Sequence, residues 1–319
     1  MPVPVRWAVL LALALVVALL PLTVRSSYTL SVLVFIALHG LAALGLSLVM
    51  GFAGQVSLGQ AAFFGIGAYV SGVLTATHGV NGWLAMALAV LAGAATAFVV
   101  GLPIFRLSGL LLAMATLGFG IIVYYVFVNW AEVTGGPSGL TGIPALRLGH
   151  VVFDTDGRML WLAGGALIAA LGLTGNLVDS RIGRALRALH GSEPAAEAAG
   201  IDTGRLKLAV FTLAGALTAL AGSLYAHYLR FVNPSPFGFG YSIELVVMVV
   251  LGGVASLWGA ALGAAAVVLF VEALRALLPR LTAGHGAAEY EIVLFGLLLM
   301  TLMIWAPSGV AGLARRRTT

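Results

Sequence analysis

Residues 83–129 read WLAMALAVLAGAATAFVVGLPI, then FRLS, then GLLLAMATLGFGIIVYYVFVN. Two apolar runs, 83–104 and 109–129, flank a short break, and Arg106 is the only charge in the stretch. A helix needs about 20 residues to cross about 30 Å of hydrocarbon. Each run is therefore a membrane-crossing helix, and the break is a tight turn between antiparallel neighbours. Working outward from this pair, the same reading marks further spans at 7–22, 30–50, 60–78, 159–177, 208–229, 243–254, 261–279 and 291–307, ten in all. The span 243–254 is short and flanked by glycine, the pattern of a broken or re-entrant helix.

Composition supports this reading. Of the 319 residues, 61% are apolar and 8% charged, and the mean hydropathy is +1.10. Soluble chains run at about 45–50% apolar and about 25% charged, so too little polar surface remains here to face water. A β-barrel would show short alternating segments, and a disordered chain would be polar. The expectation is an all-α, polytopic transmembrane bundle of about ten spans with broken segments, forming one domain over 1–319. Arg6 followed by the run from Trp7 to Leu20 has the look of a signal peptide. No small-x-small cleavage site lies between the end of this run and Arg25, however, so the run is read as a retained helix. The absence of cysteine excludes disulfides, thiolate metal sites and Cys nucleophiles.

The net charge of +5 rests on 15 Arg and one Lys. In a membrane chain this is a topology signal, not a nucleic-acid signal. Ten spans place both termini on one side. With that side in the cytoplasm, Arg6, Arg106, Arg181, Arg184, Arg187, Arg205, Lys207 and Arg315–Arg317 lie inside, ten in number. Arg25, Arg147, Arg158, Arg230, Arg275 and Arg280, six in number, lie outside. The bias predicts cytoplasmic termini.

Two polar loops interrupt the spans. The outer one, 131–158, is rich in glycine and proline (Gly135, Gly136, Pro137, Gly139, Gly142, Pro144) and favours fixed turns over helix. It reads as a lid on the bundle, a docking surface for a soluble protein, or both. The inner one, 178–207, reads as two short helices. In the first, Ile182, Leu186 and Leu189 form an apolar stripe, with Arg184 and Arg187 off it. Gly191 breaks the run, Ser192 caps the second helix, Pro194 falls in its first turn and Gly200 ends it. Such a pair either lies on the membrane surface with snorkelling arginines or docks a cytoplasmic partner.

Four segments then carry a resemblance: GFAGQVSLGQAAFFGIGAY at 51–69, TGGPSGLTGIP at 134–144, GRALRALHGSEPAAEAAGID at 183–202 and SIELVVMVVLGGVASLWG at 242–259. In this order they resemble permease subunits of branched-chain amino acid ABC importers of the LivM type. The resemblance implies the larger, type II-like importer permease fold. It also implies a homologous second permease, two ATP-binding subunits on the inner face, a periplasmic solute-binding protein outside, and residence in a bacterial inner membrane. The loop at 181–202 would then be the coupling region, with Arg184, Arg187, Glu193, Ala195, Ala196, Glu197 and Gly200 as its contact residues. The importer consensus E-A-A-x-x-x-G reads here as Pro194-Ala195-Ala196-x-x-x-Gly200, with Glu193 one place before the expected Glu. The substrate implied is leucine, isoleucine or valine. Urea, short amides and aromatic acids are the alternatives within related permeases.

Independently of the resemblance, a P-loop needs G-x-x-x-x-G-K-[ST], and the one lysine, Lys207, sits in R-L-K-L. The chain therefore cannot bind ATP by that device, and if transport is ATP-driven the motor is another polypeptide. Taken with the resemblance, this implies a transport subunit rather than an enzyme, with no cofactor of its own. ATP and Mg would be bound by partner subunits. A stand-alone ion-driven carrier would want intramembrane acids, and only Glu244 and Glu272 are available. His39 reads as a packing residue and His227 lies near an outer helix end. A passive channel is the third reading.

Gly67 with Ser71, Gly215 with Ala219, and Gly259 with Gly263 form small-x-x-x-small pairs expected at helix contacts. Segment 51–60 differs. Gly51, Gly54 and Gly59 permit irregular backbone, while Gln55, Ser57 and Gln60 offer uncharged hydrogen-bonding groups. It reads either as an ordinary cytoplasmic turn or as a re-entrant part of the translocation path, together with Glu244. Segment 252–260 leaves the same two readings open.

Overall fold

The computed structural model describes residues 3–281 and 296–297. The chain opens with α1 (Val3–Thr23) and α2 (Ser27–Ser47), and α2 runs on through a π-helical turn at Leu48–Phe52. There follow α3 (Gln60–Ala76), α4 (Gly82–Ile104), α5 (Gly109–Asn129) and the single turn α6 (Ala131–Thr134). Short strands β1 (Leu140–Thr141), β2 (Arg147–Leu148) and β3 (Val151–Val152) lead to α7 (Asp156–Asp179), α8 (Arg181–Gly191) and α9 (Glu193–Ala198). Then come α10 (Thr203–Leu229), β4 (Phe231–Val232), α11 (Phe239–Gly252) and α12 (Leu257–Leu281).

Among the described residues seven helices are long and apolar enough to cross a membrane, and two shorter apolar ones are Gln60–Ala76 and Phe239–Gly252. Together they match the first nine expected spans. The tenth, 291–307, and the Arg315–Arg317 cluster lie outside the described residues, save for 296–297.

The core is built on α10, which packs against α4, α3 and α2. Helix α7 lies on α2, α1 lies on α7, and α11 with α12 closes the far side of α2. Where α3 crosses α10 the backbones nearly touch. A Cβ on Gly67 would stand 2.0 Å from the Ala219 carbonyl oxygen, and one on Gly222 would stand 1.9 Å from that of Phe64. In an apolar solvent the hydrophobic effect does not hold helices together, so such close approach supplies the dispersion contact instead. The other two small pairs behave likewise: Gly215 abuts Ala97, and Gly263 abuts the Met248 carbonyl.

The bundle has two ends. At one, the loop end, β1 pairs antiparallel with β4 (Leu140 with Val232) and β2 with β3. Asp156 there accepts hydrogen bonds from Tyr228 at 2.7 Å and from Ser27, tying the starts of α7 and α2 to the last turn of α10. At the other, α8 and α9 lie across the ends of α7 and α10, and Arg6 of α1 pairs with Asp179 at the end of α7.

Candidate functional site

Helix α8 begins where Ser180 accepts a hydrogen bond from the Ile182 N–H at 3.1 Å. Leu186 and Leu189 are buried at 0% and 4% exposure, but Ile182 is 47% exposed. The expected stripe of Ile182, Leu186 and Leu189 is therefore corrected: the docked face is Gly183, Leu186 and Leu189. A Cβ at Gly183 would stand 1.9 Å from the Val178 carbonyl oxygen. That contact turns the helix so that the glycine faces inward and Ile182 faces out.

Helix α9 follows the expected punctuation. Ser192 accepts from the Ala195 N–H at 3.4 Å, Pro194 stands in the first turn, and Gly200 takes φ +80° just past the end. Its residues divide by direction. Ala196 is buried, and Glu193 turns inward to pair with Lys207, whose side chain is only 3% exposed. Glu197 accepts from the Thr203 hydroxyl at 2.7 Å while staying on the surface. Arg184, Ala195 and Gly200 are exposed. Arg187 is exposed too, yet its Nη1 donates to the Val178 carbonyl at 3.0 Å and so caps the end of α7. The sequence reading named Glu193 but missed Lys207. The available signal was that this is the only lysine in the chain.

Segment 53–59 leaves the α8 end and climbs into the bundle. Gly54 sits against His190, where a Cβ would be 3.0 Å from Nδ1. At the top of the climb, the Leu58 N–H donates to Thr116 Oγ1 at 3.0 Å. The Ala61 N–H donates to Ser242 Oγ at 3.1 Å, and Thr218 Oγ1 donates to Gln60 Oε1 at 3.1 Å. Thr218 lies about 22 Å along α10 from its start, so α3 begins deep inside the protein. The segment is re-entrant: Gly54 and Val56 are still exposed, but from Ser57 onward protein encloses most of it, as irregular backbone at membrane depth requires. Ser57, Gln60, Thr116 and Thr218 are all 0% exposed and Ser242 is 1% exposed. Ser57 Oγ and Gln60 Nε2 find no partner among the described residues.

The four expected path residues do not share one place. Gln55 stays near the mouth, donating to the Ala53 carbonyl at 3.2 Å, while Ser57 and Gln60 reach the interior. Glu244 is half-buried on α11, two residues past Ser242 and so on another face of that helix. Segment 252–260 is a tight turn from α11 into α12. Gly253 takes φ +105°, and Ser47 Oγ donates to the Val254 carbonyl at 3.2 Å. The remaining ionisable groups are structural. His39 bonds the Phe35 carbonyl at 2.7 Å, and Glu272 accepts from Tyr28 at 2.5 Å. His227 was read only as lying near a helix end, but it is a buried tether. Its Nδ1 meets the Pro144 carbonyl at 2.8 Å, an oxygen that can only accept, so Nδ1 carries the proton. Nε2 then accepts from Ser71 at 2.8 Å, and Ser71 in turn accepts from Ser223 at 2.8 Å. Among the described residues no three His, Asp or Glu are grouped as a metal would need.

The arrangement is that of a polytopic transport subunit: closely packed helices, a re-entrant segment, and a structured helix pair across one end. The chain belongs to the family described as Branched-chain amino acid transport system / permease component, whose pattern matches residues 28–303. It is 34% identical over 295 residues to the high-affinity branched-chain amino acid transport system permease protein LivM of Salmonella typhimurium, covering 85% of this chain and 67% of the relative. The Escherichia coli LivM is 33% identical over the same shares. The Escherichia coli permease protein LivH is 27% identical, over 86% of this chain and 91% of the relative. No solved structure matches.

Proposed function

We propose that this chain is one of two homologous permease subunits of an ATP-driven importer for branched-chain amino acids in a bacterial inner membrane. The helix pair α8–α9 carries the reading. It is anchored by Leu186, Leu189 and Ala196, and it presents Ile182, Arg184, Pro194 and Ala195 to solvent at one end of the bundle. These exposed residues are the surface that a protein partner at this end would contact. That partner is an ATP-binding subunit, which supplies the ATP and Mg site. Membership of the family, with its LivM and LivH relatives, supports both the second permease and the substrate. The α8 end then faces the cytoplasm, and the loop end, with 131–158 and β4, receives a periplasmic solute-binding protein.

The test is a mild-detergent pull-down of the tagged chain from its native membrane. The expected result is co-purification of a second permease and two ATP-binding subunits, with ATP-dependent leucine uptake after reconstitution. Recovery of the chain alone, transporting without ATP, would overturn the reading in favour of an autonomous carrier.

A further inference from the structure

Lys207 stands one turn inside α10 with its ammonium out of reach of water, and the Glu193 carboxylate holds it. The same carboxylate lies 3.5 Å from the Thr203 hydroxyl, which donates to Glu197 at 2.7 Å. Both acids of α9 thus grip the first turns of α10. Apart from this grip, α9 buries only Ala196. An ion pair is a poor means of mere anchorage. Apolar residues of similar volume hold two elements as well or better, whereas losing one partner leaves a buried charge uncompensated. What an ion pair adds is a fixed register: α9 cannot slide or lift from α10 without stranding the ammonium.

Helix α10 then runs for about 40 Å at 1.5 Å per residue, with no proline between Thr203 and Leu229. It meets the start of α3 through Thr218 and Gln60, and it meets the loop end through His227 and Pro144. We propose that Lys207 is a positioning residue for transport. Through Glu193 it makes α9 and α10 one rigid body, so that displacement of α9 by an ATP-binding subunit moves α10, and with it the buried start of α3. This rests on the coupling role proposed above for α8–α9.

The test uses the complete importer in proteoliposomes, with leucine uptake and ATP hydrolysis measured in the same vesicles. Lys207→Glu should lower uptake about tenfold or more while hydrolysis stays within about twofold, and Glu193→Lys should lower uptake per ATP to a similar extent, because each strands a buried charge. The combined swap, Glu193→Lys with Lys207→Glu, should recover most of the uptake per ATP. Should a single variant fail to fold, Lys207→Met with Glu193→Gln removes the charges at nearly constant volume. It should keep near wild-type thermal stability yet still lose uptake per ATP. Wild-type uptake per ATP in the single or neutral variants, or a folded swap no better than the singles, would overturn the proposal and leave the coupling role of α8–α9 standing. Absence of ATP-dependent uptake by the wild type would remove both.

Discussion

At Gly222 a Cβ would stand 1.9 Å from the Phe64 carbonyl oxygen, a backbone atom that cannot swing aside. Gly222→Ala must therefore push α3 off α10, and overpacking of this kind costs about 1–3 kcal/mol. Thermal unfolding in detergent should show a lower midpoint. Gly118→Ala is the control. Nothing lies within 4 Å of a Cβ there, and glycine to alanine inside a helix gains about 0.5–1 kcal/mol, so its midpoint should hold or rise. An equal fall in both variants would dismiss backbone contact as the source of the effect. The arginines of α8 separate just as sharply. Arg187 holds the Val178 carbonyl at 3.0 Å, so its loss mixes folding with docking, whereas Arg184 is exposed. Arg184→Glu should leave the fold intact and weaken ATP-binding subunit association by about 2–5-fold, the worth of an exposed charge contact of up to ~1 kcal/mol. Association measured at rising salt should show the difference shrinking.

At the scale of elements, the start of α3 carries the more telling contrast. Gln60 has one bond, from Thr218, and Ser57 Oγ has none among the described residues. Thr218→Val keeps the shape and leaves the Gln60 side-chain amide unpaired among the described residues, a loss of about 1–3 kcal/mol of stability that should lower the unfolding midpoint. Ser57→Ala removes a hydroxyl that stabilises nothing visible, so stability should be unchanged or slightly higher. If that variant loses leucine uptake at wild-type stability, Ser57 serves the path; if uptake is unchanged, the hydroxyl is a bystander. This element also shows what could be read beforehand. Glycines and uncharged polar residues marked 51–60 as unusual, because composition is local. Its depth was not legible, since the groups that receive it, Thr116, Thr218 and Ser242, come from three helices far apart in the chain. The spans were legible because 20 apolar residues mean a crossing whatever their neighbours do. The stripe on α8 was misread for the opposite reason. Counting apolar residues favours Ile182, but a contact tolerating only glycine at 183 decided which way the helix turned. Glu193 and Lys207, fourteen positions apart across a turn, pair only once α9 folds back on α10.

For the whole molecule, the question with the largest consequence is which end faces the cytoplasm. By helix alternation the described basic residues divide as Arg6, Arg106, Arg181, Arg184, Arg187, Arg205 and Lys207 at the α8 end, against Arg25, Arg147, Arg158, Arg230 and Arg275 at the loop end. Lys and Arg near span ends retain the side of synthesis, and acids contribute little to that choice. Pairing Arg158 with Asp154 at 3.1 Å therefore does not cancel its vote. An α8 end in the cytoplasm is also the arrangement that the proposed docking of α8–α9 on an ATP-binding subunit requires. The chain has no cysteine, so the wild type is already the background for single-cysteine labelling. Arg184→Cys and His150→Cys fall at exposed positions on opposite ends. A membrane-impermeant maleimide should label His150→Cys in intact spheroplasts and Arg184→Cys only once the membrane is opened. The reverse pattern would put α8–α9 outside, beyond reach of any cytoplasmic motor. It would leave the loop end, with its short strands and the His227 tether to Pro144, as the face from which force would have to enter.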